Sequence, residues 1–186
     1  MNARRARFMR PAGLAWLCLC LCAGAARSQP TPLERQVKAA YLYKFATFVE
    51  WPDGSFTRPD APLYIGVAGN EALAEQAEQM TSGRMVGSHP LAIRKIRRGD
   101  SLSGIHILFV GSADTAAMAE LLAAARSRSL LTVSDAEDGA TLGSMVNFVV
   151  ADERLRFEVM LKNVAPSRLR ISARMLAAAF RVRGAP

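Results

Sequence analysis

The chain has 186 residues, with 24 Lys and Arg against 16 Asp and Glu and a formal net charge of +8. That length predicts one domain with a real core. Five of the arginines (4, 5, 7, 10 and 27) fall in the first 28 residues beside no acid, leaving 19 basic against 16 acidic residues, net +3, in the remainder. A nucleic-acid reading thereby loses most of its support, and no nucleic-acid partner is expected.

The first element is basic from Met1 to Arg10, then apolar from Ala12 to Ala26 ("AGLAWLCLCLCAGAA"), then small ("AARSQ"). This order is that of a secretory signal peptide, and the run is shorter than the ~20 residues that span a bilayer comfortably. Cleavage is placed after Ser28, with Ala25 as the alternative site; an uncleaved amino-terminal anchor is the competing reading. Cys18, Cys20 and Cys22, the chain's three cysteines, all lie in this run. The exported protein would therefore have no disulfide or thiol chemistry. Leu19 and Leu21 stand where a lipoprotein signal needs a small residue. The expected organisation is a signal peptide over 1–28 and one exported α/β domain over 29–186.

A helix is predicted over Pro32–Trp51. Thr31 serves as N-cap, Pro32 suits the first helical position, and Glu34 completes a capping box and pairs with Lys38. Val37, Tyr41, Phe45 and Phe48 form its apolar stripe, and Pro52 ends it. Six of the chain's 13 aromatic residues fall between Tyr41 and Phe56. They are assigned to the core, with Tyr43 and Trp51 nearest a surface. "LYIGVAG" from Leu63 is a buried strand, "EALAEQAEQMTSG" a helix with Leu73, Ala77 and Met80 on one face, and "HPLAIRKI" a strand. "IHILFVG", the helix "TAAMAELLAAARSR" and "LLTVSD" continue the alternation, which implies parallel pairing with both sheet faces covered. "SMVNFVV" and "RLRFEVML", joined by "ADE", predict an antiparallel hairpin. In its second strand Leu155, Phe157, Val159 and Leu161 face inward, and Arg154, Arg156, Glu158, Met160 and Lys162 face outward. "SRLRISARMLAAAF" is expected to close the fold as one helix, buried along Leu169, Ser172/Ala173, Leu176 and Phe180. The fold class is α/β: a three-layer sandwich on a mixed, mostly parallel sheet, with helices on both faces and a C-terminal hairpin plus helix.

Residues able to carry catalysis are few. His106 lies in an apolar strand and reads as a satisfied buried residue, while His89 reads as exposed at a strand edge. With no cysteine beyond the export signal, neither a zinc site nor a nucleophile–histidine pair is indicated, and no catalytic residue, metal or cofactor is assigned. "GVAGNE" is a strand-to-helix turn without a dinucleotide fingerprint. Asp135, Glu137 and Asp138 follow a strand at the carboxyl edge of the sheet, where open α/β folds bind ligands. These acids could hold a divalent ion or simply form a polar turn. Gly69, Asn70 and Asp135 define a candidate ligand cleft. "RKIRR", Arg94 to Arg98, lacks interleaved aromatics and reads as a solvated edge. A second candidate is an arginine-rich surface: Arg154, Arg156 and Glu158 from the hairpin, with Arg168, Arg170 and Arg174 from the last helix. Arginine is enriched at interface hot spots, although a solubilising face with weak ion pairs reads the same way. Arg154, Arg156, Glu158 and Arg170 are the expected partner-binding residues.

Four segments taken together resemble the YfiR family of periplasmic regulators: "QVKAAYLYKFATFVEWP", "IHILFVG", "LLTVSD" with "GSMVNFV", and "RFEVMLKNVAPSRLRISARML". The resemblance covers essentially the whole chain after the export signal. It implies a non-enzymatic protein that binds the periplasmic sensor region of an inner-membrane diguanylate cyclase and holds the cyclase inactive, so controlling cyclic di-GMP and biofilm formation. It also implies an OmpA-like outer-membrane lipoprotein as sequestering partner, and a homodimer as an accessible state. A small-molecule sensor serving another membrane system is the alternative. The sequence departs from the family in lacking the cysteines that make relatives redox-sensitive. It also carries Met160 where relatives tend to have asparagine, and Arg168 where they tend to have glycine.

Overall fold

Thr31 starts the first helix: its hydroxyl accepts the Glu34 N–H at 3.1 Å, and α1 runs Pro32–Phe48. The computed structural model describes residues 31–111, 115–126 and 128–184. The predicted signal peptide over 1–28 and its three cysteines lie outside the described residues. Helix α1 ends before the predicted Trp51, because Val49–Glu50 (β1) leave the helix to pair antiparallel with Arg170–Ile171. A distant strand, and not Pro52 alone, sets the end.

The main sheet contains β2 (Leu63–Ala68), β3 (Met85–Val86), β4 (His89–Ile96), β5 (Ile105–Val110), β6 (Leu131–Ser134), β7 (Val146–Ala151), β8 (Arg154–Met160) and β10 (Arg181–Arg183). Its order is β10-β8-β7-β6-β5-β2-β4-β3. The central strands β4, β2, β5, β6 and β7 run parallel, whereas β8 is antiparallel to β7 and β3 to β4. Helix α2 (Glu71–Thr81) follows β2, α3 (Thr115–Ala125) follows β5, and the short α4 (Gly139–Leu142) follows β6. Strand β9 (Arg170–Ile171) pairs with β1 in a separate two-stranded sheet.

Alternation along the strands divides the core into two layers. On one face, Leu63, Ile65 and Val67 of β2 and Leu131 and Val133 of β6 pack with Leu42 and Phe45 of α1 and Leu73 and Ala77 of α2. On the other, Leu108 and Val110 of β5 meet Met118, Leu121 and Leu122 of α3. This is the three-layer α/β architecture with a mixed, mostly parallel sheet. The aromatic stripe of α1 is core: Phe45 lies 5.0 Å from Phe157 and 6.1 Å from Phe148, centroid to centroid, and Tyr41 lies 5.3 Å from Phe157. Such pairs add ~0.5–1.5 kcal/mol each beyond the area they bury.

The hairpin between β7 and β8 forms as predicted, with Ala151 opposite Arg154 and the two-residue loop Asp152–Glu153 at φ 50° and 58°. Two positive φ values are those of a type I′ turn, whose twist matches the flanking strands. The predicted terminal helix, however, is divided. After β8 come α5 (Leu161–Val164) and a 3-10 turn (Ala165–Ser167), then Arg168 at φ 60°, ψ 9°, then β9, and only Ala173–Ala178 form α6. Arg168 in the left-handed region stops the helix, and Ser172 recaps the next one by accepting the Met175 N–H at 3.3 Å. Of the predicted buried side, Leu169 is buried and Ser172 and Leu176 are half-buried, but Ala173 and Phe180 are exposed. Met160 occupies the N-cap of α5 without a side-chain cap bond, and Arg168 holds a left-handed conformation that favours glycine. Among the described residues no helix is long and apolar enough to cross a membrane.

Candidate partner-binding and ligand sites

Strand β8 sends Phe157 and Val159 into the α1 layer, so Arg154, Arg156, Glu158 and Met160 point to the opposite face. Arg154 is exposed and Arg156 half-buried, but Glu158 and Met160 are buried, contrary to the outward exposure predicted for that face. The reason is β10, which lies parallel to β8 with Arg181 opposite Glu158 and Arg183 opposite Met160. The Arg183 guanidinium grips the Glu158 carboxylate in a fork, Nε to Oε2 at 2.9 Å and Nη2 to Oε1 at 3.1 Å. Arg181 stands at 3.7 Å from the same carboxylate, whose side chain is only 8% exposed. Arg156 contributes a fully buried Nε with no hydrogen-bond partner among the described residues.

Arg170 is on another surface. It lies in β9, paired with Glu50, and β9 is tied to the α1 layer by the Ser172 N–H donating to the Phe48 carbonyl at 2.9 Å. Arg174 follows on α6, and Arg168 is exposed just ahead of β9. The arginine array predicted as one patch is thus divided by the sheet. Arg154 and Arg156 share a face with Arg181 and Arg183, which the sequence reading passed over. The alternation in "RVR" after Phe180 was the available signal.

An open groove of about 880 Å³ lies beside β10 on this face, lined by Asp135, Glu137, Asn147, Glu158, Phe180 and Arg181 among others. Its floor is tightly built: the Asn147 amide donates to the Ala136 carbonyl at 2.9 Å, and its Oδ1 accepts from the Ser144 hydroxyl at 3.2 Å. Asp135 is among the lining residues, and Lys38 Nζ of α1 donates to its Oδ2 at 2.6 Å. Lys38 is 2% exposed and is shared with Glu34 at 2.7 Å, one turn earlier on α1. The predicted Glu34–Lys38 pair is therefore one half of a buried bridge between α1 and the end of β6. Gly69 and Asn70 are placed at the carboxyl end of β2, with β5 between them and the strand that leads to Asp135. Asn70 spends its side chain as the N-cap of α2, accepting the Leu73 N–H at 2.9 Å, and Gly69 takes φ 72° against the Gly111 backbone. Neither lines the groove that holds Asp135.

The two histidines are structural neighbours. His106 accepts the Tyr64 N–H on Nδ1 at 3.2 Å, so its proton sits on Nε2, 3.1 Å from the Ser55 carbonyl that accepts it. Burial holds its pKa below the ordinary 6.5; the Ser55 carbonyl opposes this, and charge on His89 adds to the lowering. Phe56 is stacked between the rings, 4.3 Å from His106 and 3.7 Å from His89. His89 is half-buried, not exposed as predicted, with Nδ1 2.7 Å from the Ala61 carbonyl. Trp51 Nε1 donates to the His106 carbonyl at 3.3 Å, so the tryptophan pins the chain as it leaves β1. Among the described residues, no group of three or more His, Cys, Asp or Glu side chains is placed to hold a metal ion.

Comparison with known proteins gives one family: the model for YfiR/HmsC-like proteins matches residues 35–179. The match takes in most of α1, strands β1 to β9 with the hairpin, and α6, and stops before β10. No curated protein matches the chain.

Proposed function

The chain belongs to the YfiR/HmsC-like family, and from that premise we propose that it is a periplasmic regulatory protein without catalytic activity. It binds the periplasmic sensor region of an inner-membrane signalling protein, a diguanylate cyclase, and represses it. An OmpA-like outer-membrane lipoprotein is the second partner, relieving repression by sequestration. Regulation in this family works through protein contact with a membrane signalling partner. The observation that carries the reading is the family match across residues 35–179. Repression by binding requires tighter binding to the inactive than to the active cyclase; a 99:1 bias from an even equilibrium needs ~100-fold, about 2.7 kcal/mol. The contact surface includes Arg154 and Arg156, which are exposed and half-buried on one face. Deleting the gene should raise cyclic di-GMP, and restoring the exported protein should lower it again. Unchanged cyclic di-GMP after deletion would remove the cyclase as target.

The groove at Asp135 favours a second reading, a small-molecule input that tunes the same partner. It is large enough for a drug-sized ligand and is lined by both signs of charge, Asp135 and Glu137 with Lys162 and Arg181. A thermal-shift screen against amino acids, nucleotides and divalent ions tests it; no saturable shift would leave the groove as interface only.

A further inference from the structure

Strand β10 ends the eight-stranded sheet, and among the described residues nothing pairs with its outer edge. All three of its residues are exposed, Val182 by 41%, and the Phe180 that leads into it by 39%. The Phe180 N–H donates inward to the Phe157 carbonyl at 2.9 Å. Glu158 and Met160 turn their backbone groups toward β7, as the Met160 N–H bond to the Met145 carbonyl shows, so Phe157 and Val159 face β10 and, in the observed register, bond Arg181 and Arg183. The N–H and C=O groups of Val182 therefore point out of the sheet. An edge of this kind is a template for another strand. Its side chains narrow the choice of strand. Arg181 and Arg183 project to the face that already holds Arg154 and Arg156; Glu158 is the carboxylate these strands contribute, while Asp135, Glu137 and Lys162 line the groove beside them. Even with Glu158 neutralising one guanidinium, three positive charges remain on these strands. Val182 projects to the opposite face, paired with Val159 and on the side of the exposed Val150.

From this geometry we infer that β10 is a docking edge for an extended acidic–apolar–acidic segment of a partner protein, added as a ninth strand. This rests on the proposal that the chain acts through a protein partner and specifies how that partner is held. The two acids would stand beside Arg181 and Arg183, and the apolar residue would lie beside Val182. A second copy of this chain fits poorly. Antiparallel pairing of two β10 strands about Val182 sets Arg181 against Arg183 of the other copy, and like charges directly opposite are destabilising. Charge complementarity thus selects an acidic strand over self-pairing.

The test uses the purified protein and two fluorescent peptides that alternate with valine, one through glutamate and one through lysine, read by anisotropy. The glutamate peptide should bind saturably and at least about tenfold more tightly than the lysine peptide, with the difference shrinking in salt. Arg181→Glu should reverse that preference. Val182→Pro should remove the outward N–H on an edge strand, where proline is tolerated, and weaken the glutamate peptide by about tenfold or more while leaving Tm little changed. Arg183 retains its fork on Glu158 in both variants. The inference is overturned if neither peptide saturates, if the two bind equally, or if Val182→Pro leaves glutamate-peptide binding intact. Self-association that Val182→Pro abolishes would make a second copy the occupant and overturn it equally. These peptides involve no cyclase, so loss of the cyclic di-GMP response and loss of peptide binding are separate failures.

Discussion

Replacing Lys38 with methionine probes the link between α1 and the candidate groove. Lys38 is 2% exposed, and its ammonium lies 2.6 Å from Asp135 and 2.7 Å from Glu34. Methionine keeps the aliphatic stem in place, so little cavity is created and the loss is chiefly electrostatic. The Asp135 side chain is 11% exposed and loses a charged donor it cannot fully replace with water, whereas Glu34 at 31% recovers hydration. Removing one member of a buried pair costs ~3–5 kcal/mol, and the hydrated Glu34 places Lys38→Met at the lower end, about 3 kcal/mol. For a chain of this size that lowers Tm by about 6–12 °C. Urea unfolding of the wild type, Lys38→Met, Asp135→Asn and the double variant should give a coupling energy of at least about 1 kcal/mol. A single-variant loss below about 1 kcal/mol, or strictly additive losses, would refute the buried bridge as a stabilising element.

Arg168→Gly should stabilise the fold by about 0.5–1 kcal/mol, because position 168 has φ 60° and glycine removes the left-handed penalty; equilibrium unfolding checks it. Gly139→Ala should destabilise by about 1–3 kcal/mol, since a Cβ there would meet Asn147 Oδ1 at 2.6 Å and the Ser134 Cβ at 2.8 Å; the urea midpoint reads the loss. His106 titrates in the folded chain below its ordinary 6.5, so the unfolded chain binds more protons as pH falls through that value. Its contribution is therefore full above pH ~6.5 and lost on acidification toward the folded pKa. Urea midpoints at pH 7.5 and 5.0 should show the decline, and His106→Asn, which keeps an acceptor toward the Tyr64 N–H, should flatten it.

Local signals were legible in the sequence wherever neighbouring residues decide the structure. Thr31, Pro32 and Glu34 set the start of α1, and apolar runs located β2, β5 and β6. The alternation in 154–159 located β8 and its inward side chains. What depends on distant partners was not legible. Lys38 looks like a solvated charge on a helix, because the carboxylate that allows its burial is 97 residues away in sequence. Glu158 reads as outward-facing, and is, but the Arg183 fork that buries it comes from a strand absent from the prediction. The sequence predicts one continuous last helix because arginine gives no sign of a left-handed residue; a glycine at 168 would mark the break. For the candidate site the sequence supplied Arg154, Arg156 and Asp135, but sheet topology separates Arg170 from the first two and Gly69–Asn70 from the third.

In-cell crosslinking of a tagged, exported form of the protein, followed by mass spectrometry of the captured membrane proteins, tests the central claim most directly. The account predicts a diguanylate cyclase crosslinked through its periplasmic region, with an OmpA-like lipoprotein captured under derepressing conditions. Crosslinks confined to soluble proteins, with no membrane signalling protein among them, would contradict it.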